Sequence, residues 1–304
     1  MDRSSVFIEK LGTIDKQIVE ANPIVWQGRL YIFEYIRCFP WEMKCTYHGN
    51  QTGDSYCRFR DVETNAFTPS FGKGLHFACA YVAEDKVVVT AVNSVGGNQI
   101  LQTESSDLVH WTVPRVILSG DGWQCFNTSM CKAEGRYVLT FERGESCEEV
   151  GVPFTMFFAE SKDLVTWSVM HDALLGRDFY TGGPMLRWHG GWFYFFYLDA
   201  SHGDDNYETV VTRSRDLRNW EWSPRNPVIS YCPERDKKIA PVYPQEFLEE
   251  MLDAQDFNAS DLDMCDFKGD VQMVYSWGNQ HGNEFLARAI VRRMSEREFC
   301  ESFF

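Results

Sequence analysis

The sequence lacks the patterns that most often announce a chemistry. None of its ten cysteines forms a C-x-x-C pair, which argues against a zinc site of the finger or ribbon type. There is no Gly-rich phosphate loop in strand–turn–helix context, no G-x-S-x-G elbow and no H-E-x-x-H. No run approaches the roughly 18 apolar residues of a spanning helix, so no membrane partner is expected. The opening MDRSSVFIEKLGT has no basic stretch followed by an apolar one, so no signal peptide is expected. A cytoplasmic protein with reduced cysteines is the consequent expectation. Basic charge is also scarce: 29 Lys and Arg stand against 44 Asp and Glu, a net charge of -15. Such a surface repels phosphate backbones, and no nucleic-acid partner is expected.

What the chain has is aromatic rings, at 15% of its 304 residues. They favour strands. They also follow a pattern. Ser105-x-Asp107-Leu108-x-x-Trp111 recurs as Ser161-x-Asp163-Leu164-x-x-Trp167 and Ser214-x-Asp216-Leu217-x-x-Trp220. A short turn between two apolar, aromatic-rich runs occurs five times, around Gln27-Gly28, Glu84-Asp85, Glu134-Gly135, Gly190-Gly191 and Lys268-Gly269. Gly and Asp accept the positive φ of tight hairpins. The runs after these turns, such as LYIFEYI, YVLTFE and WFYFFYL, are too short and aromatic for amphipathic helices. Repeats of this length predict an all-β fold, a five-bladed β-propeller with about four strands per blade. One domain over 1–304 is expected, with a short helical insertion at about 235–257, opened by Pro244, before blade five. The Asp of the repeated motif is expected to cap a turn, and its Trp to pack between blades.

These three turns and five hairpins resemble the five-bladed propeller glycoside hydrolases: the arabinanases, arabinofuranosidases and xylosidases of family 43 and the related fructosidases. The resemblance covers roughly residues 15–295. It implies three carboxylates at the starts of innermost strands, and this chain departs at each. Asn22, before Pro23, stands where the Asp base would fall. Asn127 stands at the second Asp, and Gly182 at the Glu acid. An amide takes no proton as a carboxylate does, and Gly has no side chain. The chemistry has therefore moved to other carboxylates, or the protein binds without cleaving.

Propeller geometry narrows the search to three places facing one mouth. Second-strand ends carry Glu34, Arg37, Glu142, Arg143, Asp199, Asn279, Gln280 and His281. Third-strand starts carry Glu208 and Glu284. First-strand starts carry Asn22, His76, Asn127, Tyr180, Asp261 and Asp263. Hydrolysing a glycoside takes two carboxyl groups, one giving a proton and one acting as base or nucleophile. Glu142 ends a very apolar strand, where burial raises a carboxyl toward an acid's working range. Glu208 falls close to the family's missing acid position. Asp261 and Asp263, two apart, are expected on one side of their strand. The catalytic candidates are thus Glu142, Glu208 and Asp261.

The substrate-binding candidates are Asn22, His76, Asn127, Arg143, Tyr180, Asp199, Asp263, Trp277, Gln280 and His281. Arg143 is a candidate partner for a substrate carboxylate such as a uronic acid. Trp123, Tyr180 and Trp277 are candidate sugar platforms. No cofactor is required by this scheme. A structural calcium ion is compatible with Asp261 and Asp263 but no ligand motif demands it. The expected partner is a short, imported oligosaccharide, cleaved in exo fashion. A non-catalytic sugar-binding propeller and a glycoside phosphorylase are the alternatives. The last needs an anion pocket, for which Arg37 and Arg143 are the candidates.

Overall fold

The computed structural model describes residues 6–37, 54–151, 154–201, 206–232, 237–279 and 284–304. After β1 (Glu9–Lys16), the strands β2 (Ala21–Trp26), β3 (Arg29–Ile36) and β4 (Tyr56–Asp61) form an antiparallel sheet. β5 (His76–Ala83), β6 (Lys86–Val92), β7 (Gln99–Ser105) and β8 (Arg115–Ser119) form a second meander. β9 (Cys125–Ala133), β10 (Arg136–Arg143), β11 (Thr155–Ser161) and β12 (Ser168–Leu175) form a third. β13 (Met185–His189), β14 (Trp192–Asp199), β15 (Tyr207–Ser214) and β16 (Trp220–Trp222) follow, and then β17 (Asn258–Phe267), β18 (Asp270–Gly278) and β19 (Glu284–Val291). β1 pairs antiparallel with β19, so the strand nearest the start of the chain completes the last sheet. A short parallel pairing, Tyr207 with Asn258 and Glu208 with Ala259, joins the last two meanders into one eight-stranded sheet.

The first strand of each meander lies beside the next, β2 by β5, β5 by β9, β9 by β13, β13 by β17, and β17 by β2. Side chains tie these neighbours. Asn22 Nδ2 donates to Ala80 O (2.8 Å) and Asn22 Oδ1 accepts from Ala80 N (3.0 Å). Ser129 Oγ accepts from Leu186 N at 3.0 Å. The arrangement is propeller-like.

The hairpins form as the sequence implies. Gln27, Glu134 and Lys268 each precede a Gly, and both residues of each pair have positive φ, as in type I′ turns. The Ser-x-Asp-Leu-x-x-Trp repeat is a capped turn. Ser105 Oγ accepts from Leu108 N, and Asp107 Oδ1 from the N–H groups of Val109 and His110. The same bonds recur at Ser161–Thr166 and Ser214–Asn219. They hold Leu108, Leu164 and Leu217 at φ of +63°, +62° and +61°, costly for a bulky residue. Trp111 reaches the neighbouring sheet and stacks on Phe71 with ring centroids 3.8 Å apart. Trp220 stacks on Phe158 of the third meander and donates to Leu174 O.

Three details depart from the expected plan. The first sheet has three strands, with Phe67 and Phe71 bridging to β4 in place of a fourth. The insertion holds a 3-10 turn (Gln245–Phe247) and only a short α1 (Leu248–Asp253), which buries Met251. A second helix, α2 (Glu296–Glu301), was not anticipated. It starts at a capping box made by Ser295 and Glu298. No helix among the described residues is long and apolar enough to cross a membrane. The described cysteines are free thiols.

Candidate active site

Four carboxyl groups and one guanidinium meet where the ends of β10 and β3 and the starts of β17 and β19 converge. Glu142 is the second-last residue of β10 and is 2% exposed. Its Oε1 accepts from the Gly183 N–H at 3.0 Å. Asn127 Nδ2 lies 3.3 Å from both carboxyl oxygens, and the Asn127 N–H 3.4 Å from Oε2. Among the described residues no cation pairs with it. Burial is the main cause that raises its pKa to about 8; the nearby charges of Asp261 and Glu20 raise it further, and the Asn127 bonds only partly oppose this. Glu142 therefore carries its proton at neutral pH.

Asp261 sits at a bulge in β17, between Ser260 and Asp263, with φ of +51°. Ser260 Oγ donates to its Oδ2 at 2.5 Å. Burial raises the pKa of this carboxyl, and Glu284 adds to the rise; the Ser260 hydrogen bond and the Arg37 charge only partly oppose it. A Cβ on Gly183 would lie 2.6 Å from Asp261 Oδ1. Gly183 is thus wedged between the two carboxyl groups, one bonded to its nitrogen and the other against its α-carbon. With standard bond lengths this places the two carboxyls within about 8 Å of each other.

Glu20 precedes β2. Burial pushes its carboxyl up to about 7, and Arg37 only partly counters this, with Nε 3.7 Å from Glu20 Oε2. The other arm of Arg37 is ion-paired with the buried Glu284. Tyr180 packs edge-on against Phe154, and burial with the charges of Glu142 and Asp261 keeps its hydroxyl protonated. A narrow axial channel between the first strands, about 30 Å³, is lined by Glu20, Asn127, Gly183, Asp261 and Asp263. Among the described residues no group of three or more His, Cys, Asp or Glu is arranged to hold a metal ion.

The structure thus brings together Glu142, Asp261, Asn127 and Tyr180 of the sequence candidates. Others it engages elsewhere. Arg143 follows Glu142 on the strand and points the opposite way. It is bonded to Glu145 and Glu149 and packed between Trp123 and Phe157, so it cannot meet a substrate carboxylate. Asn22 spends both ends of its amide on Ala80. His76 has Tyr35 Oη at Nδ1 and Ser55 Oγ at Nε2. Asp199 caps its own turn at Ser201. Trp277 is a core residue, 1% exposed and edge-on to Phe285, not a sugar platform.

Asp263 lines the same channel as Asp261, but across the bulge its side chain pairs with Arg187 at 2.6 Å. Glu208 is partly buried, opposite Asp199 and beside Ala259, while the charges acting most on Glu142 are Asp261 and Glu20. Gln280 and His281 lie outside the described residues. Glu34 is consumed by Arg58 and Arg60. Glu20 was missed by sequence reasoning. The available signal was alternation, which puts Glu20 one step nearer the mouth than Asn22.

Solved structures share this fold. A glycoside hydrolase superposes with a TM-score of 0.64 at 13% identity, covering 94% of this chain and 92% of its own. A thermostable family-43 glycoside hydrolase gives 0.62 at 11% identity, over 91% and 90% of the two chains. An α-L-arabinofuranosidase from Fusarium graminearum, bound to an iminosugar inhibitor, gives 0.56 at 12% identity, over 95% and 98%. No protein-family profile and no curated protein matches the sequence. The fold is therefore that of the propeller glycoside hydrolases, and the similarity is one of structure, at identities that leave the chemistry to the site itself.

Proposed function

We propose that the chain is a five-bladed propeller glycoside hydrolase whose acid–base chemistry rests on Glu142 and Asp261. The meanders supply the blades, with β1 closing the last. The observation that carries this reading is Glu142: a buried carboxyl, raised to about 8, with only neutral donors and a second carboxyl within about 8 Å. Glu142 donates its proton to the leaving oxygen as the glycosidic C–O bond breaks. Asp261, whose carboxyl pKa burial raises and Ser260 and Arg37 only partly lower, is the second group: once it has lost its proton it either takes a proton from the attacking water or itself attacks the anomeric carbon. The separation bound spans both geometries. Asn127 and Tyr180 hold Glu142 and substrate hydroxyls, and Glu208 belongs to the rim. The substrate in this reading is a short oligosaccharide cleaved from one end in the cytoplasm.

Two observations weigh on the alternatives. The amides Asn22 and Asn127 and the side-chain-free Gly182 at the family's carboxylate positions favour a non-catalytic sugar-binding propeller. A phosphorylase is disfavoured, because Arg143 is held by Glu145 and Glu149, and Arg37 by Glu20 and Glu284. The test is a turnover screen of wild type and Glu142→Gln against nitrophenyl glycosides and short oligosaccharides, with and without phosphate. Turnover that needs Glu142 and no phosphate supports the hydrolase. A silent wild type that a sugar protects from melting supports the binder.

A further inference from the structure

Glu20 stands in the candidate site, yet the chemistry assigned to Glu142 and Asp261 gives it no task. It lines the axial channel between the first strands. Its side chain is 12% exposed, but its Oε2 is fully buried and has no hydrogen-bond partner. Among the described residues no other carboxyl oxygen is so placed. The side-chain donors of the channel wall are engaged elsewhere. Asn127 Nδ2 is turned to Glu142, and Thr128 Oγ1 is bonded to Thr90. Asn22 Nδ2 and Cys79 Sγ both donate to Ala80 O. Arg37 Nε lies 3.7 Å from Glu20 Oε2, past hydrogen-bond distance, and the other arm of Arg37 is ion-paired with Glu284. A buried acceptor without a donor is costly. A binding site keeps such a group where the ligand brings the donor.

We propose that Glu20 determines the specificity of this site: its Oε2 accepts the hydrogen of one ring hydroxyl of a neutral sugar, and sugars lacking that hydroxyl are rejected. The channel, about 30 Å³, has room for little more than one hydroxyl or one water. A whole sugar ring does not fit there, but one of its hydroxyls does. A ligand carboxylate would set a second acceptor against this one. Burial holds the Glu20 carboxyl up to about 7 with Arg37 already beside it. Near neutral pH it therefore carries only part of a charge, which suits a neutral donor better than an ammonium. The inference rests on the reading of this site as a sugar site, whether or not it cleaves.

The test is calorimetric titration of the full chain at neutral pH with methyl glycosides of the common pentoses and hexoses. The tightest binder is then compared with its monodeoxy analogues, and with the analogue carrying an amino group at the hydroxyl that matters. A glycoside that wild type cleaves is titrated in the Glu142→Gln background. The variants are Glu20→Met, of similar length without the oxygens, and Glu20→Gln, which keeps one acceptor. One monodeoxy analogue is expected to bind wild type about tenfold or more weakly than its parent. That difference should vanish in Glu20→Met and survive in part in Glu20→Gln. Unliganded Glu20→Met should melt no lower than wild type, because Oε2 has no hydrogen bond to lose. A difference that persists in Glu20→Met overturns the inference while sugar binding leaves the reading of the site intact. So does a wild type indifferent to every deletion, tighter binding of the amino analogue, or a Glu20→Met that melts lower or does not fold. If no glycoside binds wild type, the reading of the site falls and the role of Glu20 with it.

Discussion

The backbone N–H of Gly183 donates to Glu142 Oε1 at 3.0 Å, from a residue whose φ is +55°. The same residue touches Asp261 on its other side, so no side chain fits there. Gly183→Ala is expected to cost about 1–3 kcal/mol in stability and to lower turnover more than a hundredfold. Denaturant melts and initial rates on the same preparation check this. Unchanged turnover would detach Gly183 from the site.

Glu142 also makes stability depend on pH. Its folded pKa, about 8, is raised above the unfolded value, as is that of Glu20, about 7. The folded state thus holds protons that the unfolded state releases. The stabilisation these two groups contribute is fully present below the unfolded pKa and is lost as pH rises through the folded values, between about 4.5 and 8. Glu142→Gln removes its share of that fall. Its melting temperature should gain on wild type as pH rises from 5 to 9, and a constant difference would contradict the assigned ionisation.

Arg37 is the cation beside Glu20, Asp261 and Glu284. Arg37→Ala removes the guanidinium that is ion-paired with the buried Glu284, at a cost of about 3–5 kcal/mol. It also removes a group that lowers the pKa of Asp261. In a folded variant the acid limb of the pH–rate profile, set by Asp261, should move to higher pH. A limb that stays in place would remove Arg37 from the site.

Asn22→Asp restores the carboxylate that family 43 would place there, but it should not restore catalysis. Asn22 Nδ2 donates to Ala80 O, and a carboxylate oxygen would face that carbonyl instead. The expected result is a loss of about 1–3 kcal/mol with no gain in rate. A gain in rate would return the base to Asn22's position.

Much of the fold was legible in local signals. The hairpin pairs with positive φ and the Ser-x-Asp-Leu turns are decided by neighbouring residues, and they form as read. The pairing of β1 with β19 joins opposite ends of the chain, and no local pattern encodes it. α2 had a readable capping box at Ser295 and Glu298 that the strand pattern overshadowed. In the site, Glu142 was legible because a carboxyl ending an apolar strand has to be buried. The ion pair of Asp263 with Arg187 was not legible because it joins two separate strands, and Arg143 was misread because its partners Glu145 and Glu149 lie in the following loop. Glu20 went unread because the substituted Asn22 drew the search.

The most direct test of Glu142 as the proton donor is leaving-group dependence. Wild type and Glu142→Gln are compared on two glycosides of the same sugar, a dinitrophenyl and an alkyl. The dinitrophenolate leaves without a proton and the alkoxide does not. Glu142→Gln is expected to lose about 10²–10⁴-fold on the alkyl glycoside and far less on the dinitrophenyl one. An equal loss on both, or no loss on either, would contradict that role.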